Sequence, residues 1–446
     1  MKQVLDLHIH SPYSRACSPQ LTLANIDKTC REKGVNIIAT GDFTYPDWFR
    51  AINQELEETF AGSGLYKLKS ATDDLVKFIF STEVALIYKD NEKTRRIHLV
   101  IHAPNLKAAR ELNNLLDKKY NIRSDGRPIL GIKAPDFVRL LLNIHPQFLI
   151  YPAHIWTPWF AVFGSKSGFD TLEECFKEET KNIFAYETGL SSDPAMNWRL
   201  SALDKLTVLS SSDAHSPINI GREATVMNLL EPITYEQIYE IIKEKKQIAE
   251  RESIDAMEQG LVDTMKQGLV DAAKQGLAYT IEFYPEEGMY HFDGHRDCNF
   301  SCAPQESKKL NNLCPVCQKP LVIGVLNRVE SLADRPEGYK PQKAVPFKKL
   351  IELDKIIKEA LGIKSRGALK VRQEYERLIR DFGNELHILL NLDLESVKKE
   401  IDARIILGIE KTRNQDLLIT PGFDGQYGEI KLFNNENRPF ATKSLW

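Results

Sequence analysis

The pentapeptide Asp6-Leu7-His8-Ile9-His10 puts two imidazoles two residues apart at the end of an apolar run. In a strand, alternate residues share one face, so His8 and His10 project together, as a shared metal site requires. Taken alone, the pair equally suits an ordinary half-buried strand face, and only further ligands decide. Such ligands recur at or just past strand-like runs: Asp42 in Thr40-Gly41-Asp42, Glu83 in Ser81-Thr82-Glu83, His98 in Arg96-Ile97-His98, His154 in Pro152-Ala153-His154, and Asp213 with His215 in Ser212-Asp213-Ala214-His215. Carboxylates mixed with imidazoles suit Zn²⁺, Mn²⁺, Mg²⁺ or Fe²⁺. They can bridge two ions roughly 3.5–4 Å apart, the arrangement that clamps a phosphodiester in hydrolysis.

A second constellation, Cys298-x3-Cys302-x11-Cys314-x2-Cys317, consists of two close cysteine pairs separated by a short loop. Four thiolates so spaced suit a structural, tetrahedral Zn²⁺ with no open position, and His295 is a candidate for replacing one of them. Cys17, Cys30 and Cys175 are scattered, so the seven cysteines do not form a disulfide framework. Behind His154, Trp156 and Trp159 read by spacing as barrel core. Beside a metal site, they and the Ser165-Lys166-Ser167-Gly168 loop also suit stacking on an extruded base and holding its phosphate. Glu187, six positions before Asp193, is either a water-orienting carboxylate or a helix cap. Lys355, Lys358, Lys364, Arg366, Lys370, Arg372, Arg377 and Arg380 form a basic run that reads as a solvated helix face or, joined to a phosphoesterase, as a DNA backbone contact.

These residues need elements to hold them. Val4 to Ile9, Asn36 to Thr40, Phe78 to Tyr88, His98 to His102, Phe148 to Pro152, Ile183 to Glu187 and Thr207 to Ser211 read as strands, and Ala24 to Lys33, Asn105 to Lys119, Asp136 to Asn143 and Thr171 to Glu178 as amphipathic helices between them. Repeated β-then-α units predict an α/β fold with a parallel sheet, and seven strands predict a barrel-like closure over residues 1–245. Residues 246–278 read as a linker containing a period-eight repeat (DAMEQGLV, DTMKQGLV, DAAKQGLA), whose glycines oppose a continuous helix. A Cys-rich module follows over 279–325. Residues 326–446 read as a helical domain, with helices over Phe347 to Leu361 and Leu394 to Thr412 and a turn-rich β element at Ile419 to Lys431.

Hydrophobic residues at 42% and charged residues at 27% exclude fibrous, collagenous and wholly disordered chains. With 59 Lys and Arg against 62 Asp and Glu, the net charge of −3 provides no global basic field, so any basic surface is local. The N-terminus enters a strand-like run without the features of a signal peptide, and no run approaches the ~18 apolar residues of a membrane span, so a cytoplasmic protein with no membrane partner is expected.

The order His-x-His, Asp, Glu, His, His, Asp-x-His on a β/α chain resembles the PHP superfamily, which includes histidinol phosphatases and the PHP domains of bacterial DNA polymerases. More narrowly, Pro152-Ala153-His154-Ile155-Trp156-Thr157-Pro158-Trp159-Phe160, Gly164-Ser165-Lys166-Ser167-Gly168-Phe169-Asp170 and Glu187-Thr188-Gly189-Leu190-Ser191-Ser192-Asp193-Pro194 look like the endonuclease Q family. The Tyr290-His291-Phe292-Asp293-Gly294-His295 run with its cysteines and Pro421-Gly422-Phe423-Asp424-Gly425 fit the same family. The resemblance spans nearly the whole chain apart from the repeat. It implies a distorted seven-stranded β/α barrel with two or three divalent metals, a zinc module and a helical DNA-binding domain. The implied activity is cleavage of DNA 5′ to a deaminated base (uracil, hypoxanthine or xanthine) or an abasic site, the altered nucleotide being flipped out.

Carried over to this sequence, the resemblance implies that His8, His10, Glu83 and Asp213 hold one ion, with Glu83 bridging to a second held by His98 and His154. Asp42 and His215 would serve a third ion or orient the others. Asp213, Glu83, Glu187 and His215 are then the candidate catalytic groups, and Trp156, Trp159, Ser165, Lys166, Ser167, Lys370 and Arg372 the candidate DNA contacts. Tyr45 stands where the family usually has a histidine, and a phenol with a reference pKa near 10 is a poor ligand at neutral pH, which argues against a third ion. Two rival readings are a small-molecule phosphatase, which leaves residues 279–446 without a use, and a non-catalytic nucleic-acid-binding protein with a decayed site.

Overall fold

The seven strand-like runs of the first 211 residues all form strands in the computed structural model, which describes residues 1–248 and 275–434. In chain order these are β1 (Lys2–Asp6), β2 (Ile37–Ala39), β3 (Leu56–Glu58), β4 (Tyr66–Leu68), β5 (Lys77–Ile79), β6 (Ser81–Asp90), β7 (Lys93–His102), β8 (Ile129–Leu130) and β9 (Leu149–Pro152). There follow β10 (Ala185–Glu187), β11 (Thr207–Leu209), β12 (Ala224–Asn228), β13 (Gly276–Glu282), β14 (Asp293–His295), β15 (Phe300–Cys302), β16 (Phe347–Lys349), β17 (Leu418–Thr420) and β18 (Glu429–Lys431). The short central strands are apolar throughout, as strands covered on both faces must be: Ile37, Ile38 and Ala39 of β2 are all fully buried.

The fold is mixed α/β, but the expected closed seven-stranded barrel is not formed. The strands divide among an eight-stranded sheet (order β16-β13-β12-β1-β2-β5-β4-β3), a four-stranded sheet (β8-β6-β7-β9) and the β10–β11 pair. Phe78 to Tyr88, expected as one strand, breaks at Phe80, where the chain passes from the first sheet to the second. A lone bridge between Ile9 and Ala214 is what ties the end of β1 to the segment after β11. Just beyond β2, β9 and β11 stand Asp42, His154 and Asp213, with φ of 43°, 28° and 46°, a left-handed conformation that a strand cannot continue through. The same kinks turn these three side chains inward.

The eight-stranded sheet is sandwiched. On β12, Ala224 and Val226 face a core built with helices Leu353–Ala360 and Ala403–Asn414, while Met227 and Leu229 belong to the larger core around β1, β2 and β7. Helix Leu353–Ala360 buries Leu353, Ile356, Ile357 and Ala360, the i, i+3, i+4, i+7 stripe of a helix packed on a sheet. Three helices are shorter than expected, the one over Thr171 to Glu178 being α-helical only at Leu172–Phe176 before a 3-10 turn. Residues 347–349 form β16, parallel to β13, before the helix over 353–360. The expected helix from Leu394 begins only at Ala403, where the Asp402 side chain accepts from the Arg404 N–H and caps it. Within the period-eight repeat, Gly276 to Ala278 open β13, and the repeat residues before 275 lie outside the described residues. The terminal β element is present as the β17–β18 hairpin. Among the described residues no helix is long and apolar enough to cross a membrane.

Candidate metal centre

His8 and His10 leave the end of β1 on one face, and Asp213 meets them from the kink after β11. Ligand atoms of these three lie within 4.8 Å of one another, as do those of a second triad, Glu83, His98 and His154. The second triad arises from pairing: Glu83 on β6 and His98 on β7 lie on adjacent antiparallel strands, and His154 follows β9, the other neighbour of β7. Glu83 joins the triads. One carboxylate oxygen lies 2.7 Å from His98 Nδ1 and 3.1 Å from His154 Nε2, and the other lies 3.4 Å from His10 Nε2 and 3.8 Å from His8 Nε2.

The residues fit divalent cations. His8 Nε2, His10 Nε2 and Asp213 Oδ1 are buried atoms without a hydrogen-bond partner, converging on one point. Three orphaned buried donors and acceptors together are costly unless a cation takes them. Each imidazole is also held from behind. Glu187, fully buried, places Oε2 3.0 Å from His8 Nδ1 and accepts from the His154 backbone N–H at 2.8 Å. Asp42 faces His10 Nδ1 at 3.0 Å and accepts from the Ser11 N–H and the Ser11 and Ser14 hydroxyls. Thr157 Oγ1 stands 2.9 Å from His154 Nδ1. Such outer hydrogen bonds fix ring orientation and raise ligand basicity.

Charge in the site is strongly coupled. Although burial opposes it, Glu187 and Asp213 raise His8, and Asp42 and Asp213 raise His10, well above the usual histidine range. Against the same burial, His98 and Arg127 hold Glu83, and the two histidines hold Asp213, well below the usual carboxylate range. Burial pushes His98 down to about 4.

The structure places the remaining candidates as follows. His215 lies at the partly open rim, its ring centroid 4.6 Å from that of His10. Tyr45 stacks on Tyr13 at 4.4 Å and starts helix Pro46–Glu55. Trp156 does not offer a base platform: it is fully buried and donates to Asn197 at 2.7 Å. Trp159 is 39% exposed and meets Tyr290 edge-on at 5.5 Å. Ser167 is buried with its hydroxyl donated to the Arg96 carbonyl, whereas Ser165 and Lys166 are exposed on a cavity of about 430 Å³ with Lys93. Lys370 and Arg372 are exposed, Arg372 with Glu376 3.7 Å away, and Lys355, Arg366 and Arg377 of the same basic run are paired with Glu287, Asp354 and Glu374.

In the Cys-rich module the close group is His295, Cys298, Cys314 and Cys317, all within 4.8 Å. Cys302 stands outside it. Its hairpin partner is Asp293, two positions along the ladder from the His295–Phe300 pair, and a strand advances ~3.4 Å per residue. Two residues escaped the sequence. Arg127 donates to Glu83 at 2.9 Å from the turn before β8, and Tyr290 lines an aromatic cavity beside the centre. That cavity, of about 260 Å³, is bounded by Thr157, Trp159, Ser191, Met289, Tyr290 and Tyr427 among others.

Comparisons with known proteins follow this geometry. The family model for the MJ0043 C-terminal domain matches residues 352–416. Protein MJ0043 of Methanocaldococcus jannaschii is 30% identical over 282 residues, 62% of this chain, which spans only 31% of that relative's length. Protein YqxK of Bacillus subtilis is 25% identical over 97% of this chain and 100% of its own. Among solved structures, the lesion-specific endonuclease PfuEndoQ of Pyrococcus furiosus superposes with a TM-score of 0.79 at 28% identity, over 97% of this chain and 95% of its own. An endonuclease Q bound to a 27-mer duplex with an abasic lesion at its active site gives 0.79 at 29% identity, over 100% of both chains. In fold and sequence the chain is similar from end to end to both endonuclease Q structures.

Proposed function

We propose that the protein is a metal-dependent DNA repair endonuclease that hydrolyses the phosphodiester 5′ to a deaminated base or an abasic site. The observation that carries this reading is spatial. Thr157 touches His154 of the second triad with its hydroxyl and lines the aromatic cavity with its surface, so the hydrolytic centre and a base-sized recess share a wall. Divalent ions, when bound, supply Lewis-acid activation of water and neutralise phosphate charge. The protein's own groups do the rest. Glu83, His8, His10, His98, His154 and Asp213 set the separation of the two sites. Glu187 and Asp42 fix the rings of His8 and His10, and His215 at the rim is placed to exchange a proton with solvent.

Trp159 and Tyr290 offer faces and edges on which an extruded base stacks, a sequence-tolerant contact that suits several lesions. Lys166, Lys370 and Arg372 are exposed cations suited to the phosphate backbone, and the group of His295 with three cysteines suits a structural Zn²⁺ that holds residues 279–325 against residues 1–245. The test is incision of end-labelled duplexes, each bearing one uracil, hypoxanthine, xanthine or abasic site, by protein loaded with Mg²⁺, Mn²⁺ or Zn²⁺. Nicking immediately 5′ to the lesion is expected. Hydrolysis of a small phosphate monoester without any nicking would overturn the proposal.

A further inference from the structure

The segment Pro421-Gly422-Phe423-Asp424-Gly425-Gln426-Tyr427-Gly428 between β17 and β18 is unusually fixed for a surface turn. The N–H groups of Gly422, Gly425 and Gly428 donate to the carbonyls of Glu286, Met289 and Glu287 at 2.9, 3.0 and 3.0 Å, and the Phe292 N–H returns a bond to Gly422. Phe423 and Gln426 bond each other in both directions, and the Asp424 carboxylate accepts from the Arg296 N–H at 2.6 Å. Gly422 and Gly428 are required by this seating: a Cβ at either would collide with the carbonyl of Gly288 or Glu286. So tightly tied a backbone buries nothing at residue 427. Tyr427 is 77% exposed, the most exposed large hydrophobic side chain among the described residues, and it stands at the mouth of the aromatic cavity.

The bonded backbone fixes where the Tyr427 side chain leaves the chain, in water beside a recess also lined by Thr157, which touches His154. An exposed ring carried on so fixed a backbone is positioned to meet a partner that presents a flat apolar face. From this placement we infer that Tyr427 is a wedge: when a nucleotide leaves the duplex for the cavity, the Tyr427 ring enters the vacated space and stacks on the neighbouring base pair. The inference rests on the proposed function and adds the element that keeps the duplex open. Extrusion costs a few kcal/mol in lost stacking, which an inserted side chain offsets. Tyr427 acts by touching the DNA around the lesion and has no part in the hydrolysis itself.

The experiment compares metal-loaded full-length wild type with Tyr427→Ala, Tyr427→Phe and Tyr427→Trp on one lesion in two contexts, a fully paired duplex and a short mismatched bubble in which the lesion is already unstacked. A 2-aminopurine placed next to the lesion reports unstacking by its fluorescence. Expected for Tyr427→Ala is a loss of roughly 10- to 100-fold in duplex incision and of the fluorescence rise, with the bubble cut at the wild-type rate. The Phe and Trp variants should retain duplex cutting. Equal duplex rates for wild type and Tyr427→Ala, or equal losses on duplex and bubble, would overturn the wedge while leaving the endonuclease reading intact. A wild type that cuts neither substrate would overturn both.

Discussion

The Arg127 guanidinium donates at 2.9 Å to the Glu83 carboxylate oxygen that also faces His10. A cation thus shares the one carboxylate that unites both triads, in a side chain still 23% open to solvent. Were metals to draw on the charge of Glu83, the guanidinium would be released toward a phosphate oxygen. Arg127→Ala is expected to keep both metals and lower the rate of incision on the order of 10²-fold, with Arg127→Lys restoring part. Metal analysis beside single-turnover rates checks this, and loss of metal in the Ala variant would mean that Arg127 only braces Glu83.

His295 in place of Cys302 changes what the cysteine module should tolerate. Cys302→Ser is expected to keep its zinc, whereas His295→Ala should release it on dialysis against a chelator, with residues 279–325 becoming sensitive to protease. Zinc content after dialysis decides between this set and four thiolates.

His8 and His10, raised by buried carboxylates, carry protons at neutral pH when no metal is present. Metal binding must expel them, so the apparent affinity for the ions should rise with pH, about tenfold per unit for each proton released. Titration calorimetry in buffers of different ionisation enthalpy counts those protons. An affinity independent of pH between 6 and 8 would contradict the arrangement.

Glu282 on β13 and Glu223 beside β12 are fully buried. Burial, reinforced for Glu282 by Asp193 and for Glu223 by Glu282, pushes Glu282 up to about 8 from 4.5 and Glu223 higher than its usual range. Between those values the folded chain holds a proton that the unfolded chain has lost. The contribution of Glu282 to stability should therefore be full below pH 4.5, fall by up to about 1.4 kcal/mol per pH unit as pH rises toward 8, and level off above, with Glu223 acting in the same direction. Glu282→Gln should flatten that slope, matching wild type near pH 5 and exceeding it in Tm at pH 8.

The ligands are legible because the chemistry repeats along the strands: eight metal-type residues in or just past six of the seven apolar runs leave few other readings, and six of them form the two triads. Asp42 and His215 flank them. What could not be read depended on contacts far apart in sequence. Trp156 and Trp159 differ by three positions, and only the packing of Asn197 and Tyr290 separates a core indole from an exposed one. Cys302 fits the spacing of a zinc ligand, yet the close group gathers His295 with Cys298, Cys314 and Cys317, and the hairpin register sets Cys302 opposite Asp293. Arg127 sits in a plain Ser124-Asp125-Gly126-Arg127-Pro128 turn with no signal of its own. The barrel departs from expectation because strand count predicts closure, while the strands pair into separate sheets of eight, four and two.

The kinks after β2, β9 and β11 govern what a substitution can report. Asp42, His154 and Asp213 occupy left-handed backbone that Asp, Asn and His visit several-fold more readily than other side chains. Alanine at any of the three therefore changes two things at once, the ligand and the ease of the turn. Asparagine at 42 or 213 removes the charge and leaves the turn at home. Asparagine at either position is therefore the substitution expected to silence the centre while sparing the backbone that shapes it.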